Sequence, residues 1–340
     1  MTLAAGRRLA EDGHMADREL IEEAVTLASR APSLHNSQPW RWLAFRGGLA
    51  LFLDRKRIVG STDEGGRQAV ISCGVMLDHL RVAAAAAGQR AEIERFPDAG
   101  DPDLLATVTF TPAQPTAADR SRADAILARR TDRLPMFAPP EWDIVAAALG
   151  GAVGAPADSG VRLDVLDDGL RPELGRASSM TEVVRQFDPG YQDELQWWTT
   201  PFEYPEGIPR TSLVSAGESY RVEVNRSFPI EDRAERRVGV VEDEARILLL
   251  STPGDTRADA LAAGEALSEV LLECTVAGLA TCPVTHLTEL PDARSTLAEL
   301  AGVDAVPQAL IRVGRAPSDP LAEPIPLTPR RPIEDMLRFA

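Results

Sequence analysis

The sequence predicts an α+β protein assembled from two related parts, and three observations predict it. Helical and strand periodicities alternate along the 340 residues. Two long apolar helices share a glycine signature, because Gly74 precedes Gly88, and Gly264 precedes Gly278, by the same fourteen positions. At that offset Leu77 also matches Leu267, Leu80 matches Val270 and Ala87 matches Ala277. The chain is also longer than one hydrophobic core usually supports, so two cores or one enlarged core are expected.

Residues 1–15 are polar and carry no helical signal. From Arg18 to Arg30, Leu20, Ile21, Ala24, Val25, Leu27 and Ala28 recur at helical spacing. Pro32 stops this helix, since a residue before proline is driven out of the α region. A loop over Ser33–Pro39 leads into two strands within Trp40–Asp54, around the turn Gly47-Gly48. Gly65–Ala87 reads as a buried helix capped by Gly88. Leu104–Phe110 is strand-like, and the Pro- and Ala-rich Thr111–Ala118 is the linker.

Beyond the linker, Asp119–Arg130 is helical and the stretch around Pro135, Pro139 and Pro140 is irregular. Glu141–Leu149 is a helix, Val161–Leu166 a strand and Pro172–Gln186 a helix. Phe187–Pro229 is long and loop-rich, with Trp197, Trp198, Phe202, Tyr204 and Tyr220, and is too long for a routine connection. Arg246–Thr252 is a strongly apolar strand, Arg257–Ala277 a helix ending at Gly278, and Pro307–Gly314 a final strand before a Pro-rich tail. The helix–loop–strand Leu20–Phe45 has a weaker echo at Glu141–Leu166, with Arg162 standing where Arg41 stands. Two echoes in the same order favour duplication.

Composition narrows the chemistry. The balance of 36 basic against 52 acidic residues, a net charge of −16, repels phosphate backbones and argues against a nucleic-acid partner. Any phosphate held here needs a local basic pocket. Lys56 is the only lysine, which excludes a lysine Schiff base and a Walker-type loop. Cys73, Cys274 and Cys282 are odd in number and lack CxxC spacing, so they read as reduced thiols. No signal-length apolar stretch follows Arg7 and Arg8, and no run approaches the ~20 apolar residues of a membrane helix. A cytoplasmic location without membrane contact is the expectation.

Four constellations carry chemistry. The loop Ala31-Pro32-Ser33-Leu34-His35-Asn36-Ser37-Gln38-Pro39-Trp40 is bracketed by prolines and presents hydroxyl and amide groups, which suits gripping a polar heterocycle; it equally fits a capping loop with Trp40 buried. Arg129-Arg130-Thr131-Asp132-Arg133 places three arginines at a helix end, suited to a phosphate monoester through bidentate guanidinium bonds, or to a solvated basic face. Thr328 followed by Arg330 and Arg331 could close on the same phosphate. Gly278–His286 ends a helix with Thr285 and His286, and a lone histidine there is more often structural than catalytic. No His stands at metal-binding spacing, and there is neither a GxSxG elbow nor a GxGxxG after a strand.

Together these pieces resemble the nitroreductase superfamily of FMN proteins, nearest its Acg-type actinobacterial branch. The loop Ala31–Trp40 is a nearly full match to the superfamily's Ala-Pro-Ser-x-x-Asn-x-Gln-Pro-Trp motif, and the matches span about residues 18–335. The resemblance implies a nitroreductase-like α+β fold with a mainly antiparallel sheet in each half. Two fused halves, 16–118 and 119–335, would form an internal pseudo-dimer whose interface is the two Gly-marked helices, with a lid-like insertion at about 187–229. It further implies one FMN per chain. Arg129, Arg130, Thr131 and Arg133 would hold its phosphate and ribityl chain, with Arg330 closing the clamp. Pro32, Ser33, Leu34 and Asn36 would face the ring from the opposite half, while Thr285 and His286 would stand beside its N5. Two departures stand out: His286 replaces a Gly and Thr328 replaces a Lys. The loop equivalent in half two, Gly151–Val161, lacks the Ser, Asn and Gln, so only one complete site can be assembled.

The implied function is two-electron transfer from NAD(P)H through FMN to a small nitro- or quinone-like acceptor. The alternative is FMN sequestration under a lid, motivated by the aromatic segment and by His286 near N5. A fused pair has its interface satisfied internally, so a monomer is possible.

Overall fold

The computed structural model describes residues 18–153, 160–199, 206–229, 234–318, 325 and 327–340. Helix α1 (Arg18–Ala28) buries Ile21, Ala24, Val25 and Ala28 on one face. Beyond the loop, β1 (Trp40–Phe45) and β2 (Gly48–Leu53) form the expected hairpin. Then come α2 (Arg67–Ala86), β3 (Gln89–Arg95) and β4 (Leu104–Pro112). A capping box between Thr116 and Asp119 starts α3 (Ala117–Ala128). The chain continues through α4 (Trp142–Ala152), β5 (Arg162–Val165), α5 (Arg171–Arg185), α6 (Pro189–Trp198) and α7 (Ala216–Tyr220). It ends with β6 (Arg246–Thr252), α8 (Arg257–Val276), β7 (Ala280–Val284), α9 (Pro291–Ala301), β8 (Val306–Gly314), α10 (Ile333–Met336) and β9 (Leu337–Phe339).

Two sheets result, and their wiring is the same. One runs β3-β4-β2-β1 with β9 added at its edge; the other, read from its end, runs β7-β8-β6-β5. In each, an antiparallel strand pair (the hairpin β1–β2, or β5–β6 with three helices between its strands) leads into a long helix and then a second antiparallel pair. Even the central register slips alike, at Leu51/Phe52 in one sheet and at Leu250/Ser251 in the other. Among the described residues all strand pairings are antiparallel except β1 with β9, so the α+β expectation holds.

The long helices α2 and α8 cross where Gly74 meets Gly264. A Cβ on Gly74 would stand 2.2 Å from the Leu261 carbonyl oxygen and 2.9 Å from Gly264 Cα. One on Gly264 would stand 2.0 Å from the Ile71 carbonyl oxygen and 2.9 Å from Gly74 Cα. These contacts are reciprocal under one offset of 190 positions, the signature of a two-fold arrangement. The helix ends repeat it: Gly88 and Gly278 leave their helices at φ 79° and 73°, where glycine carries no Cβ penalty. Around the crossing, side chains from both sheets and both helices form one continuous apolar core.

Several expectations need correction. Among the described residues α2 is long and apolar enough to cross a membrane by length and composition, contrary to the sequence reading. Its apolar residues are spent instead on burial against α8 and the first sheet. Phe187–Pro229 is not simply loop: Asp188 caps α6 and Ser215 with Glu218 boxes α7. Trp197 and Tyr220 are mostly exposed, so they do not form an aromatic cover; Phe202 and Tyr204 lie outside the described residues, as do 154–159 of the half-two loop. Finally, the tail past residue 335 crosses back, with Trp42, Leu43 and Ala44 pairing with Leu337, Arg338 and Phe339.

Candidate functional site

The loop after α1 is held in an uncommon shape by its own polar groups. His35, Asn36 and Gln38 all have positive φ (50°, 60° and 51°), a conformation that side-chain-bearing residues adopt rarely and at functional sites disproportionately. Ser33 Oγ accepts from Gln38 N at 2.9 Å, and Gln38 Oε1 accepts from Arg331 N at 2.9 Å. Asn36 Nδ2 donates to the carbonyls of Gly207 and Pro329, and its Oδ1 accepts from Arg330. Trp40 is buried, donating to Met336 Sδ. Asn36 is therefore a staple joining three segments, and it lines the cationic end of the cleft rather than the ring-sized end.

The loop borders a cleft that is open to solvent on one side. One wall is Pro32, Ser33, Leu34 and His35; the floor is Gln68, Ile71, Ser72 and Val75 of α2 with Leu267 of α8. The facing wall is Cys282–Thr285, running out of β7. Ile208, Asn225, Arg226 and Phe228 cover it. Sharing Pro32, Ser33, Thr131, Arg133 and Ile208, a second hollow continues the cleft. Its lining adds Arg129, Arg130, Thr328 and Arg330. The two Gly-marked helices thus bring a half-one loop and a half-two strand to one cavity.

The second hollow is strongly cationic. Burial lowers the pKa of Arg30, Arg129, Arg130 and Arg330, neighbouring arginines add to the shift in all but Arg130, and among the described residues none of the four has a carboxylate partner. Burial, then Arg130 and Arg30, push the Arg129 guanidinium down to about 10. Its Nε and Nη1 are buried without a hydrogen-bond partner. A buried, unpaired guanidinium is costly, and an anion would relieve it. Arg130 spends Nη1 on the carbonyls of Leu127, Ala128 and Arg129, capping α3. Arg330 spends its N–H groups on Ser29, Arg30, Ala31, Asn36, Thr328 and Pro329. Both lend positive charge, but Arg330 is a brace for the loop rather than a free clamp. Thr328 lines the hollow and gives its carbonyl to Arg30 and Arg330.

The ring-sized end has its own polar groups. Arg133 stacks over Phe228 at 5.2 Å, and burial lowers its pKa. His35 Nε2 is buried without a partner, and burial, then Arg226 and Arg133, hold the ring neutral. Phe228 meets it edge-on with centroids 6.0 Å apart. Arg226 reaches Thr285 Oγ1 at 3.4 Å and pairs with Glu289 and the Tyr191 hydroxyl. Burial opposes charge on Arg226, but Glu289 and Tyr191 outweigh it and raise its pKa. Thr285 lines the cleft as expected, whereas His286 does not. Its Nε2 meets Ser178 Oγ at 2.7 Å in the core of the second sheet, and burial, then Arg226, bring it down to about 3. The histidine in place of glycine therefore places no imidazole in the cavity.

Sequence reasoning missed Arg30, His35, Arg226 and the α2 floor. Arg226 and Glu289 are 63 positions apart and carry no local pattern. His35 sat inside the quoted loop, and its positive φ is not legible in residue type.

A half-enclosed cleft with an arginine-lined extension thus lies between the half-one loop and β7. A model described as the nitroreductase family matches residues 206–315. A Mycobacterium tuberculosis protein provisionally named NAD(P)H nitroreductase Acg is 52% identical over 323 residues, 95% of this chain and 96% of its own. Another M. tuberculosis protein, with no function in its name, is 50% identical over 325 residues, 94% and 93% of the two chains. Among solved structures, the FMN-dependent nitroreductase NfnB of Mycobacterium smegmatis in complex with NADPH superposes at a TM-score of 0.42 with 17% identity, over 66% of this chain and 99% of its own. A provisionally assigned nitroreductase from Anabaena variabilis gives 0.44 with 10% identity over 88% of each. This chain belongs to the nitroreductase family, in its Acg-type branch.

Proposed function

We propose that the cleft holds one FMN per chain and that the protein is an FMN-dependent oxidoreductase, moving two electrons from NAD(P)H to a small nitro- or quinone-like acceptor. The observation that carries this reading is the carboxylate-free arginine cluster opening into a ring-sized apolar cavity, with two N–H groups of Arg129 left unpaired. In a chain of net charge −16, such a cluster is accounted for by a bound phosphate monoester. Residues 16–118 and 119–335 are read as duplicated halves forming an internal pseudo-dimer, supported by the shared strand order and the reciprocal helix crossing. One chain then completes the cleft without a second copy.

In this reading Arg129, Thr131 and Arg133 hold the phosphate and ribityl end, and Arg130, Arg30 and Arg330 supply surrounding positive charge. Pro32, Ser33 and Leu34 form one wall for the ring and Pro283–Thr285 the other. FMN, when bound, supplies hydride acceptance and two-electron delivery. Arg226, held by Glu289 and the Tyr191 hydroxyl, would donate to Thr285 Oγ1 and fix that wall beside the ring. Neutral His35 offers one ring nitrogen to a ligand, and the α2 floor excludes water from below.

A second reading, sequestration of the flavin under a cover, is favoured by one observation. The covering segment is latched to the first half by Asn36 on Gly207, Arg57 on Glu206 and Glu194 on the Ser61 and Thr62 amides. Its other motive is gone, because His286 faces the core. Anaerobic mixing with NADPH or NADH separates the two. Bleaching of the flavin absorbance within seconds supports the oxidoreductase and refutes sequestration. A yellow protein reduced by dithionite but by neither nicotinamide does the reverse, and a colourless protein indifferent to FMN refutes both.

A further inference from the structure

The segment 206–229 that covers the ring-sized end also reaches the arginine hollow, where Ile208, Pro209 and Ser212 stand in the lining with Arg129 and Arg130. Ser212 ends a short turn, Arg210–Ser212, closed by Leu213 N on the Arg210 carbonyl at 2.9 Å. Arg236 braces the turn on both sides, donating to the carbonyls of Thr211, at 2.7 Å, and Leu213. Glu218 of α7 holds Arg236 in turn, its Oε1 accepting from the Arg236 amide at 2.6 Å. Ser212 N bonds the Pro209 carbonyl at 2.8 Å. The Ser212 hydroxyl takes no part in any of this: its Oγ is buried without a hydrogen-bond partner, and the residue is 7% exposed.

Two orphaned groups from distant parts of the chain therefore meet in the lining of one hollow. One is Nε and Nη1 of Arg129 at the end of α3; the other is the Ser212 hydroxyl of the cover. A buried hydroxyl without a partner carries an unrelieved desolvation cost, as does the guanidinium. A phosphate group relieves both at once, because its several oxygens accept from more than one donor. The remaining fastenings of the cover need no ligand. Asn36 Nδ2 donates to the Gly207 carbonyl at 3.1 Å, and Glu194 accepts from the Ser61 and Thr62 amides at 2.7 and 2.9 Å. A bond from Ser212 forms only when the hollow holds an acceptor.

We propose that Ser212 is the cover's own contact to the ligand's phosphate, so that the cover is fastened over a phosphorylated flavin and not over the same ring without its phosphate. The inference rests on the reading of the cleft as a flavin site. Ser212 then sets specificity: FMN engages the arginines and the cover together, and riboflavin engages neither. Because the bond ties ligand to cover, it acts on release more than on entry.

The test is Ser212→Ala in the full chain, with FMN and riboflavin titrated separately by flavin fluorescence and FMN release followed after dilution. Loss of a hydroxyl that has no partner leaves the ligand-free melting temperature at or above the parent's. FMN affinity is expected to fall about 10- to 100-fold, with release faster by a similar factor and riboflavin affinity unchanged. At equal occupancy FMN protects the cover from proteolysis better than riboflavin in the parent, and Ser212→Ala loses that advantage; its persistence overturns the proposal. Unchanged FMN affinity, or affinities for FMN and riboflavin that fall together, also overturns it. Should the alanine variant fail to fold, Ser212→Cys keeps the volume with a far weaker donor, and the same outcomes decide. A parent that binds no flavin, or FMN no better than riboflavin, refutes the flavin-phosphate reading and the proposal with it. A parent that prefers FMN beside an indifferent Ser212→Ala refutes the role of Ser212 alone.

Discussion

Replacing Arg129 by Met should move stability and ligand affinity in opposite directions, and the structure sets both magnitudes. Arg129 is 7% exposed, and its pKa is brought down to about 10 by burial and by Arg130 and Arg30. That depression corresponds to about 3 kcal/mol of unfavourable interaction for the charged form in the ligand-free fold. The sign is clear: a base with a lowered folded-state pKa destabilises the fold wherever it is protonated, which includes neutral pH. Methionine removes the charge and keeps most of the packing, so the ligand-free variant should melt a few degrees higher. The loss lies in the complex. Nε and Nη1, unpaired in the fold, each stand to make a charge-assisted bond of about 1.5–3 kcal/mol to phosphate, so FMN affinity should fall at least ~100-fold. Differential scanning fluorimetry of ligand-free protein and flavin fluorescence titration read the two arms. A variant that melts lower and binds FMN unchanged would refute the reasoning, because Arg129 would then be a structural brace and not an anion ligand.

Gly264→Ala should destabilise the fold, since its Cβ would meet backbone atoms of Ile71 and Gly74 rather than a yielding side chain; overpacking of about 1–3 kcal/mol exceeds the roughly 1 kcal/mol gained in helix propensity, and urea melts read the net loss. Glu269, pushed up to about 8 by burial, then Asp78, faces Arg81, Glu265 and Arg122 as well. A carboxyl with a raised folded-state pKa contributes stability that is full below about pH 4.5 and lost as pH rises through 8. Glu269→Gln should therefore flatten the decline between those values, and an equal slope in both proteins would contradict the assignment. His286→Gln should leave nicotinamide-dependent flavin bleaching at the parent rate in stopped-flow, because the imidazole faces Ser178; a large rate change would place it at the chemistry.

Much of the framework was readable because it is written in local patterns. The hairpin after Trp40 follows from alternation, the ends of α2 and α8 from Gly88 and Gly278, and their pairing from the matched glycines. Other elements carry no such pattern. Strand β3 reads Gln-Arg-Ala-Glu-Ile-Glu-Arg and is half exposed, while β7 contains Pro283, so pairing with β8 rather than propensity makes it a strand. At the site, residue type alone did not give the side chains' partners. Asn36 and Arg330 were expected on the ligand; both line the second hollow, and they also hydrogen-bond each other and the backbone. Such roles depend on which carbonyls a fold leaves unpaired, and no single segment records that.

The crossing of α2 over α8 joins two sheets of one polypeptide, and this has a consequence for how the protein can change. In a pair of identical chains every substitution is imposed twice, once on each wall, so neither cavity can be improved without altering its twin. Here the loop Ala31–Trp40 and its sequence counterpart Gly151–Val161 are separately encoded segments of one chain. The symmetry supplies a working geometry; the single chain releases it from the obligation to stay symmetric. One wall can then be held to the demands of a ligand while its image drifts toward nothing more than tight packing.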